Sequence, residues 1–297
     1  MPDRIDGRTG LFALFGDPVS HSKSPAMHNA AFEELGMNFV YLAFSVPEGK
    51  AGEAAEAART LGLRGFNVTM PHKQAIMEHL DSLDVTAELC GAVNTVLNRD
   101  GVLTGFNTDA CGAVYAVRKM GISIPDSRTV ILGLGGAGKA IVCGLAGAGC
   151  RSVTVAVRNA GDAARPGTRA NAHALFLKKT EAAFKGLECR MIDIGEADAL
   201  ADHVRGADLL INATNLGMGK NKGLSPVTDM RCFHSGLCVM DAVYDPPETE
   251  FLRLARKAGA RCAMNGLNML IGQGIEAFRL FTGEEMPEET ALRVISD

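Results

Sequence analysis

No two of the eight cysteines stand in a C-x-x-C arrangement, and no two of the seven histidines in H-x-x-x-H. The common zinc and redox motifs are therefore missing, and no metal is expected. The cysteines, mostly in apolar surroundings, read as buried free thiols. Long apolar runs are missing too: none approaches the roughly 20 residues of a membrane-spanning helix. The opening MPDRIDGRTG lacks the apolar centre of a secretion signal. Basic residues are not in excess, with 30 Lys and Arg against 34 Asp and Glu, so neither nucleic acid nor a membrane surface is an expected partner. A cytoplasmic protein is expected. What remains is ordinary globular material, 47% apolar and 22% charged over 297 residues. At about 150 residues per domain that is two domains.

The first 110 residues alternate strand and helix patterns with some antiparallel character. Residues 11–15, 41–46 and 66–68 read as strands. A helix is expected from Ser24, with Ser24 as cap, Pro25 in the first turn and Gly36 as stop. An Ala-rich helix over 51–61 ends at Gly62. Pro71 is expected to open a further helix. Residues 93–97 and 102–105 read as a hairpin across Asn98, Arg99, Asp100 and Gly101. Asp109 is expected to cap a helix ending near Gly121. Six short strands then follow, at 129–132, 153–157, 189–192, 208–211, 238–241 and 261–264, most of them separated by helical segments. That alternation predicts a doubly wound parallel sheet. Residues 159–169 read as a mobile polar loop. A helix over 268–281 is expected to return to the first domain. The expected domains are 1–110 with 268–297, and 111–267.

The strand at 129–132 runs into Gly133-Leu134-Gly135-Gly136-Ala137-Gly138 and then a helix. Gly133, Gly135 and Gly138 fit G-x-G-x-x-G, with a second strand about 20 residues on. The first glycine permits the tight turn, the second lets the backbone approach a pyrophosphate, and the third lets helix pack on strand. The helix N-terminus supplies N–H donors for phosphates. The second strand ends in Arg158 where an acid would favour NAD. Arg158 offers a cation for a 2′-phosphate or a surface on which adenine stacks, while Asp162 lies close enough in sequence to reach a ribose. The balance favours NADP, with NAD as the alternative.

Three polar clusters interrupt the first domain. Ser20–Pro25 offers hydroxyls and a helix start that can hold a carboxylate; capping by Ser24 alone would explain one serine. Asn67–Lys73 places Lys73 in the first turn of the helix expected at Pro71. Positive potential there disfavours the ammonium and suits a lysine that exchanges a proton with an alcohol. The third cluster joins Asn94-Thr95 with Asn107-Thr108-Asp109. Asp109 could bond a substrate hydroxyl and Lys73, or simply cap its helix.

These clusters, in this order and ahead of the glycine turn, resemble the shikimate/quinate dehydrogenase family. The likeness runs nearly end to end: SHSKSP at 20–25, NVTMPHK at 67–73, GAVNT at 91–95, GFNTD at 105–109, GLGGAG at 133–138, INAT at 211–214 and GLNMLIGQG at 266–274. The resemblance implies two α/β domains, a substrate-binding domain and a Rossmann-type domain, with the site in the cleft. It implies that Lys73 and Asp109 form the catalytic pair. Ser22 and Ser24 would bind the substrate carboxylate, and Asn67, Thr69, Asn94, Asp109 and Gln273 the ring hydroxyls. Tyr244 would line the site from the cofactor side. Gly133, Gly135, Gly136, Ala137, Gly138 and Arg158 would hold the dinucleotide, with Thr214, Gly266 and Met269 near the nicotinamide half. The implied reaction is NAD(P)-linked exchange of shikimate and 3-dehydroshikimate, with quinate as a further substrate, in a monomer or homodimer. Departures from the family pattern are Leu134, Lys139, Ala110 and a longer segment after Arg158. Rival readings are a dehydrogenase of an aminated or altered cyclic acid, a silent ligand sensor, and a structural protein with an empty dinucleotide domain.

Overall fold

Seven mostly apolar residues make strand β1 (Gly10–Gly16), whose middle is buried on both faces, as the centre of a covered sheet must be. In the computed structural model, which describes residues 5–296, β1 lies between β2 (Phe39–Ser45) and β3 (Gly65–Val68) and runs parallel to both. Strands β4 (Ser82–Leu83), β5 (Thr95–Arg99) and β6 (Val102–Phe106) extend the sheet in the order β2-β1-β3-β5-β6-β4. The β3–β5 and β5–β6 pairs are antiparallel, so this sheet is mixed. It belongs to one compact unit, made of the chain up to Gly112 and from Ile271 onward; Ala113–Leu270 form the other.

Alternate residues of β1 feed two cores. Phe12 packs with Phe32 of α1 (Ser24–Glu34), with Phe39, and with Phe281 of α9 (Leu267–Thr282), at ring separations of 5.6, 5.3 and 4.8 Å. Ala13 and Phe15 face the opposite core with Phe66 and Val68, under the small residues Ala51, Ala55 and Ala58 of α2 (Ala51–Thr60). Burying each such Phe contributes about 1.5–3 kcal/mol. Helix α3 (Val85–Cys90) is capped by Asp84, which accepts from the amides of Thr86 and Ala87. The last helix, α10 (Glu288–Ser296), packs on α1. Lys23 Nζ donates to the Ile295 carbonyl and the Thr290 hydroxyl to the Glu34 carboxylate. The expected return of the C-terminal helical segment to the first sheet is thus observed.

His28, on the inner face of α1, is fully buried and stacked on Tyr41 at 4.4 Å with a 5° interplanar angle. Among the described residues neither ring nitrogen has a hydrogen-bond partner, and burial pushes its pKa down to about 3. The unfolded chain takes up this proton near pH 6.5 and the folded one does not until about pH 3. Stability from this group is therefore complete above pH 6.5 and falls as the pH drops through that window. Urea midpoints measured from pH 7 to pH 4 should decline in the wild type and decline less in His28→Leu. Equal slopes would show that His28 is not the acid-sensitive group.

Four local expectations are corrected. Ser24 is the first helical residue of α1, preceded by Lys23; it is the Ser22 hydroxyl that accepts the Ser24 amide, at 3.3 Å. Pro71 opens no α-helix. It follows a cis Met70–Pro71 peptide in a turn that leads to a five-residue 3₁₀ helix, Ala75–His79. Long-range bonds claim this backbone instead: the Thr69 amide donates to Phe15, the Val93 amide to Lys73 and the His72 ring bonds Val46. The β5–β6 turn is the two residues Asp100 and Gly101, both at positive φ (53° and 87°), because Arg99 and Val102 are paired. Asp109 is the first residue of α4 (Asp109–Lys119), with Thr108 before it; its carboxylate is spent elsewhere.

The second sheet is parallel throughout. Its strands are β7 (Arg128–Leu132), β8 (Ser152–Val157), β9 (Glu188–Asp193), β10 (Leu209–Asn212), β11 (Cys238–Asp241) and β12 (Cys262–Met264). They lie in the order β12-β11-β10-β7-β8-β9, with the direction of winding reversing between β7 and β10. This is the doubly wound, Rossmann-type order. Helices α5 (Gly136–Gly147), α6 (Arg169–Ala183), α7 (Ala197–Arg205) and α8 (Glu250–Lys257) connect the strands. Leu200, Val204, Leu210, Val239, Phe251 and Leu252 form part of its core. Residues 159–169 are more ordered in form than the loop expected: Ala160–Ala164 make a 3₁₀ turn, and the Thr168 hydroxyl bonds the carbonyls of Asp162 and Arg165. All eight cysteines are free thiols, but Cys111 is exposed and Cys189 and Cys262 are half-buried, against the expectation of burial. Among the described residues no helix is long and apolar enough to cross a membrane.

Candidate active site

In the first unit Lys73 and Asp109 meet. Lys73 Nζ donates to Asp109 Oδ2 at 2.6 Å, with side chains 30% and 18% exposed. The turn that carries Lys73 is pinned through its own carbonyl by the Val93 amide at 2.8 Å. The other carboxylate oxygen, Oδ1, accepts from Asn94 Nδ2 at 2.9 Å. Asn94 has no freedom to flip, because its Oδ1 accepts the Thr108 backbone N–H at 2.7 Å. Thr108 and Thr95 share a hydroxyl contact of 3.0 Å.

The network continues inward. Asn67 of β3 donates through Nδ2 to the Asn94 carbonyl at 3.1 Å and to the Thr95 hydroxyl at 2.9 Å. Its Oδ1 accepts from the Tyr41 hydroxyl at 2.7 Å. Burial holds Tyr41 well above the usual phenol range, so it stays a donor. Asn67, Asn94, Thr95 and Thr108 are all buried. A buried network with each orientation fixed by the next is rigid, and it ends on the half-buried pair Lys73–Asp109. Ser22 lies half-buried in the β1–α1 connection and Ser24 at the start of α1. Thr69 follows the end of β3, and Gln273 sits half-buried on α9.

The second unit presents its candidate residues at the C-terminal ends of its strands, where open parallel sheets bind ligands. Gly133, after β7, has φ +91°, and a Cβ there would lie 2.7 Å from Thr214 Cγ2. A Cβ on Gly138 would lie 2.4 Å from the Gly133 carbonyl oxygen. Gly135 and Gly136 are exposed, and a Cβ on either would meet nothing within 4 Å. The turn is thus tight on its inner side and open in front of the α5 N-terminus, which fits a pyrophosphate. Ala137 is half-buried in the first turn of α5. The unusual Lys139 packs its ammonium over the Phe176 ring at 5.3 Å. Arg158 is exposed just past β8, beside a cavity of about 330 Å³ that it lines with Asn159, Asp162, Thr168, Arg169 and Ala170.

Thr214 follows β10, its hydroxyl donating to Asn212 Oδ1 at 2.7 Å. Gly266 follows β12 so closely packed that a Cβ would sit 2.2 Å from the Ala242 carbonyl oxygen. Met269 is buried on α9. Tyr244 follows β11, half-buried; burial and then the Asp245 charge push its phenol up.

Two family models match the chain: the shikimate dehydrogenase substrate binding domain over residues 14–96, and the shikimate 5′-dehydrogenase C-terminal domain over 266–295. A shikimate dehydrogenase (NADP(+)) of Alkaliphilus metalliredigens is 41% identical over 99% of this chain and 99% of its own length. That of Methanopyrus kandleri is 44% identical over 96% and 94%. The chain belongs to the shikimate dehydrogenase family. Among solved structures, the shikimate 5-dehydrogenase of Listeria monocytogenes in complex with shikimate and NAD superposes with a TM-score of 0.89 at 35% identity, covering 99% of both chains.

Within this family frame, several supporting residues were not singled out by sequence reasoning. Tyr41 looks like an ordinary strand aromatic until its hydroxyl is traced to Asn67. In the second unit Asp241 is fully buried, and burial pushes its carboxyl up. It accepts from Thr249 at 2.6 Å, Asn212 at 2.9 Å and the Val243 amide at 3.0 Å, so it ties together the loops after β10 and β11. The signal was present: apolar strands LLIN and CVMD each end in a polar residue, and those two residues are partners in register.

Proposed function

We propose that the protein catalyses the reversible oxidation of shikimate to 3-dehydroshikimate with NADP, NAD being the alternative cofactor. The observation that carries this is the Lys73–Asp109 pair, held by Asn94 in a chain of this family. The bound dinucleotide supplies the hydride acceptor. In the reductive direction the Lys73 ammonium gives its proton to the oxygen of the substrate carbonyl; in the oxidative direction the neutral amine takes it from the hydroxyl. Asp109 orients both Lys73 and that hydroxyl.

Ser22 and Ser24 receive the substrate carboxylate, and Asn67, Thr69, Asn94 and Gln273 the remaining hydroxyls. Asn67 Oδ1 already accepts one bond from Tyr41 and keeps a lone pair for a substrate hydroxyl. Tyr244 lines the site from the cofactor side. Gly133, Gly135, Gly136, Ala137 and Gly138 receive the pyrophosphate, Arg158 the adenosine end, and Thr214, Gly266 and Met269 the nicotinamide half. Every residue named comes from one chain, so a monomer and a homodimer are both competent.

The test crosses shikimate and quinate with NADP⁺ and NAD⁺ and follows cofactor reduction by absorbance. Shikimate with NADP⁺ should give the highest kcat/KM. Reduction with quinate alone would move the substrate, and binding of either acid with no turnover under any pairing would mark a silent sensor.

A further inference from the structure

We propose that a recess between α7 and the first residues of β7, β8 and β9 binds a phosphate group, either the free ion or a small phosphomonoester. The recess, of about 310 Å³, is lined by Arg128, Ser152, Thr154, Arg190, Asp202 and His203 among others. It lies wholly within the second unit. It is also at the opposite end of the sheet from the glycine turn: Arg128 and Ser152 open β7 and β8, whereas Gly133 and Arg158 follow them. Its occupant is therefore not the dinucleotide.

Sheet register builds the recess. Arg128 of β7 pairs with Ser152 of β8, Val130 with Thr154, and Thr154 with Arg190 of β9. In-register residues of parallel strands share a face. Val130 puts this face under α7, since it packs with Leu200 and Val204. A covered face of a parallel sheet is ordinarily apolar, but here it turns polar on three adjacent strands. β7 and β9 flank β8 and lie about 10 Å apart, so two arginines stand on either side of two hydroxyls. Thr154 is the deciding residue. It is only 8% exposed and lines the recess, yet its hydroxyl has no hydrogen-bond partner among the described residues. A buried hydroxyl needs a partner, and a ligand oxygen in the recess supplies one. The acids nearby are already engaged: Asp202 pairs with Arg205 at 2.9 Å, and Asp208 accepts the Arg128 backbone N–H at 2.8 Å. Arg190 and His203 form no ion pair and no side-chain hydrogen bond among the described residues. Arg128 has a local role as well. A Cβ on Gly206, just past the end of α7, would lie 3.5 Å from its Nη1, so its cation complements the helix dipole. That accounts for Arg128 and leaves Arg190 and Thr154 without a purpose in the fold. Guanidinium groups and hydroxyls converging from three strands are the donors that phosphate oxygens take up.

The experiment titrates inorganic phosphate and glycerol phosphate calorimetrically, at constant ionic strength, into the wild type, Arg190→Gln, Arg190→Lys and Thr154→Val. Saturating NADP⁺ is present throughout and keeps both probes off the glycine turn. The wild type should bind phosphate. Arg190→Gln should weaken that binding about tenfold, the size of one charge-assisted contact, and Thr154→Val should weaken it by roughly threefold, the size of one neutral hydrogen bond. Arg190→Lys should keep part of the affinity. Arg190 is exposed and Thr154→Val keeps the side-chain shape, so the variants should bind NADP⁺ as the wild type does. Tighter binding of glycerol phosphate would identify an ester as the occupant, and equal binding the free ion. A wild type that binds neither probe, or an Arg190→Gln and a Thr154→Val that bind as tightly as the wild type, overturns the inference and leaves the dehydrogenase reading standing.

Discussion

Lys73→Ala should lower kcat by roughly 10²–10⁴ and leave KM for shikimate nearly unchanged. The split follows from the geometry. The Lys73 ammonium bonds the network through Asp109 Oδ2. The second carboxylate oxygen stays fixed by Asn94, and Asn94 by the Thr108 amide. Removing the ammonium therefore takes away the proton donor and leaves the hydroxyl-binding groups in place. Steady-state kinetics at saturating NADP⁺ measures both constants. Turnover near the wild-type level would remove Lys73 from the proton path. A large rise in KM at constant kcat would make it a binding residue only.

Gly138→Ala should both destabilise the second unit and raise KM for the cofactor at least tenfold. The added methyl would sit 2.4 Å from the Gly133 carbonyl oxygen and 3.2 Å from its carbon. Both are backbone atoms of a turn already held at φ +91°, so a rotamer change cannot relieve the clash. Overpacking of this kind costs about 1–3 kcal/mol, several degrees in Tm for a unit of this size. The displaced turn no longer aims its amides at a pyrophosphate. Gly135→Ala is the contrast, since its methyl meets nothing within 4 Å and its φ of −79° suits any residue. It should melt like the wild type and weaken only the cofactor. Matching melting curves for Gly138→Ala and wild type would show that helix–strand contact is not limiting here.

The second sheet was the more legible half of the chain. Its four central strands, β7, β8, β10 and β11, are short, mostly apolar and buried, and the glycine turn carries its geometry in three residues. All six strands appear where the pattern placed them. The first unit was legible in its polar clusters and less so in its backbone. Pro71 followed by His72 and Lys73 reads locally as a helix start, but the amides and carbonyls there are taken by β1 and by Val93. Ser24 and Asp109 read as caps for the same local reason, but Ser24 is already the first helical residue, its amide taken by Ser22, and the Asp109 carboxylate is claimed by Lys73 and Asn94. Tyr41 acts through Asn67, a group brought close only by the folding of the sheet. No spacing along the chain announces that.

The packing of α10 on α1 joins residues 256 positions apart, as between Glu34 and Thr290. During synthesis the first unit waits for Phe278 and Phe281, the last pieces of its aromatic core. All of 113–270 has left the ribosome by then, so the middle of the chain can finish folding ahead of its beginning, the reverse of the usual vectorial order.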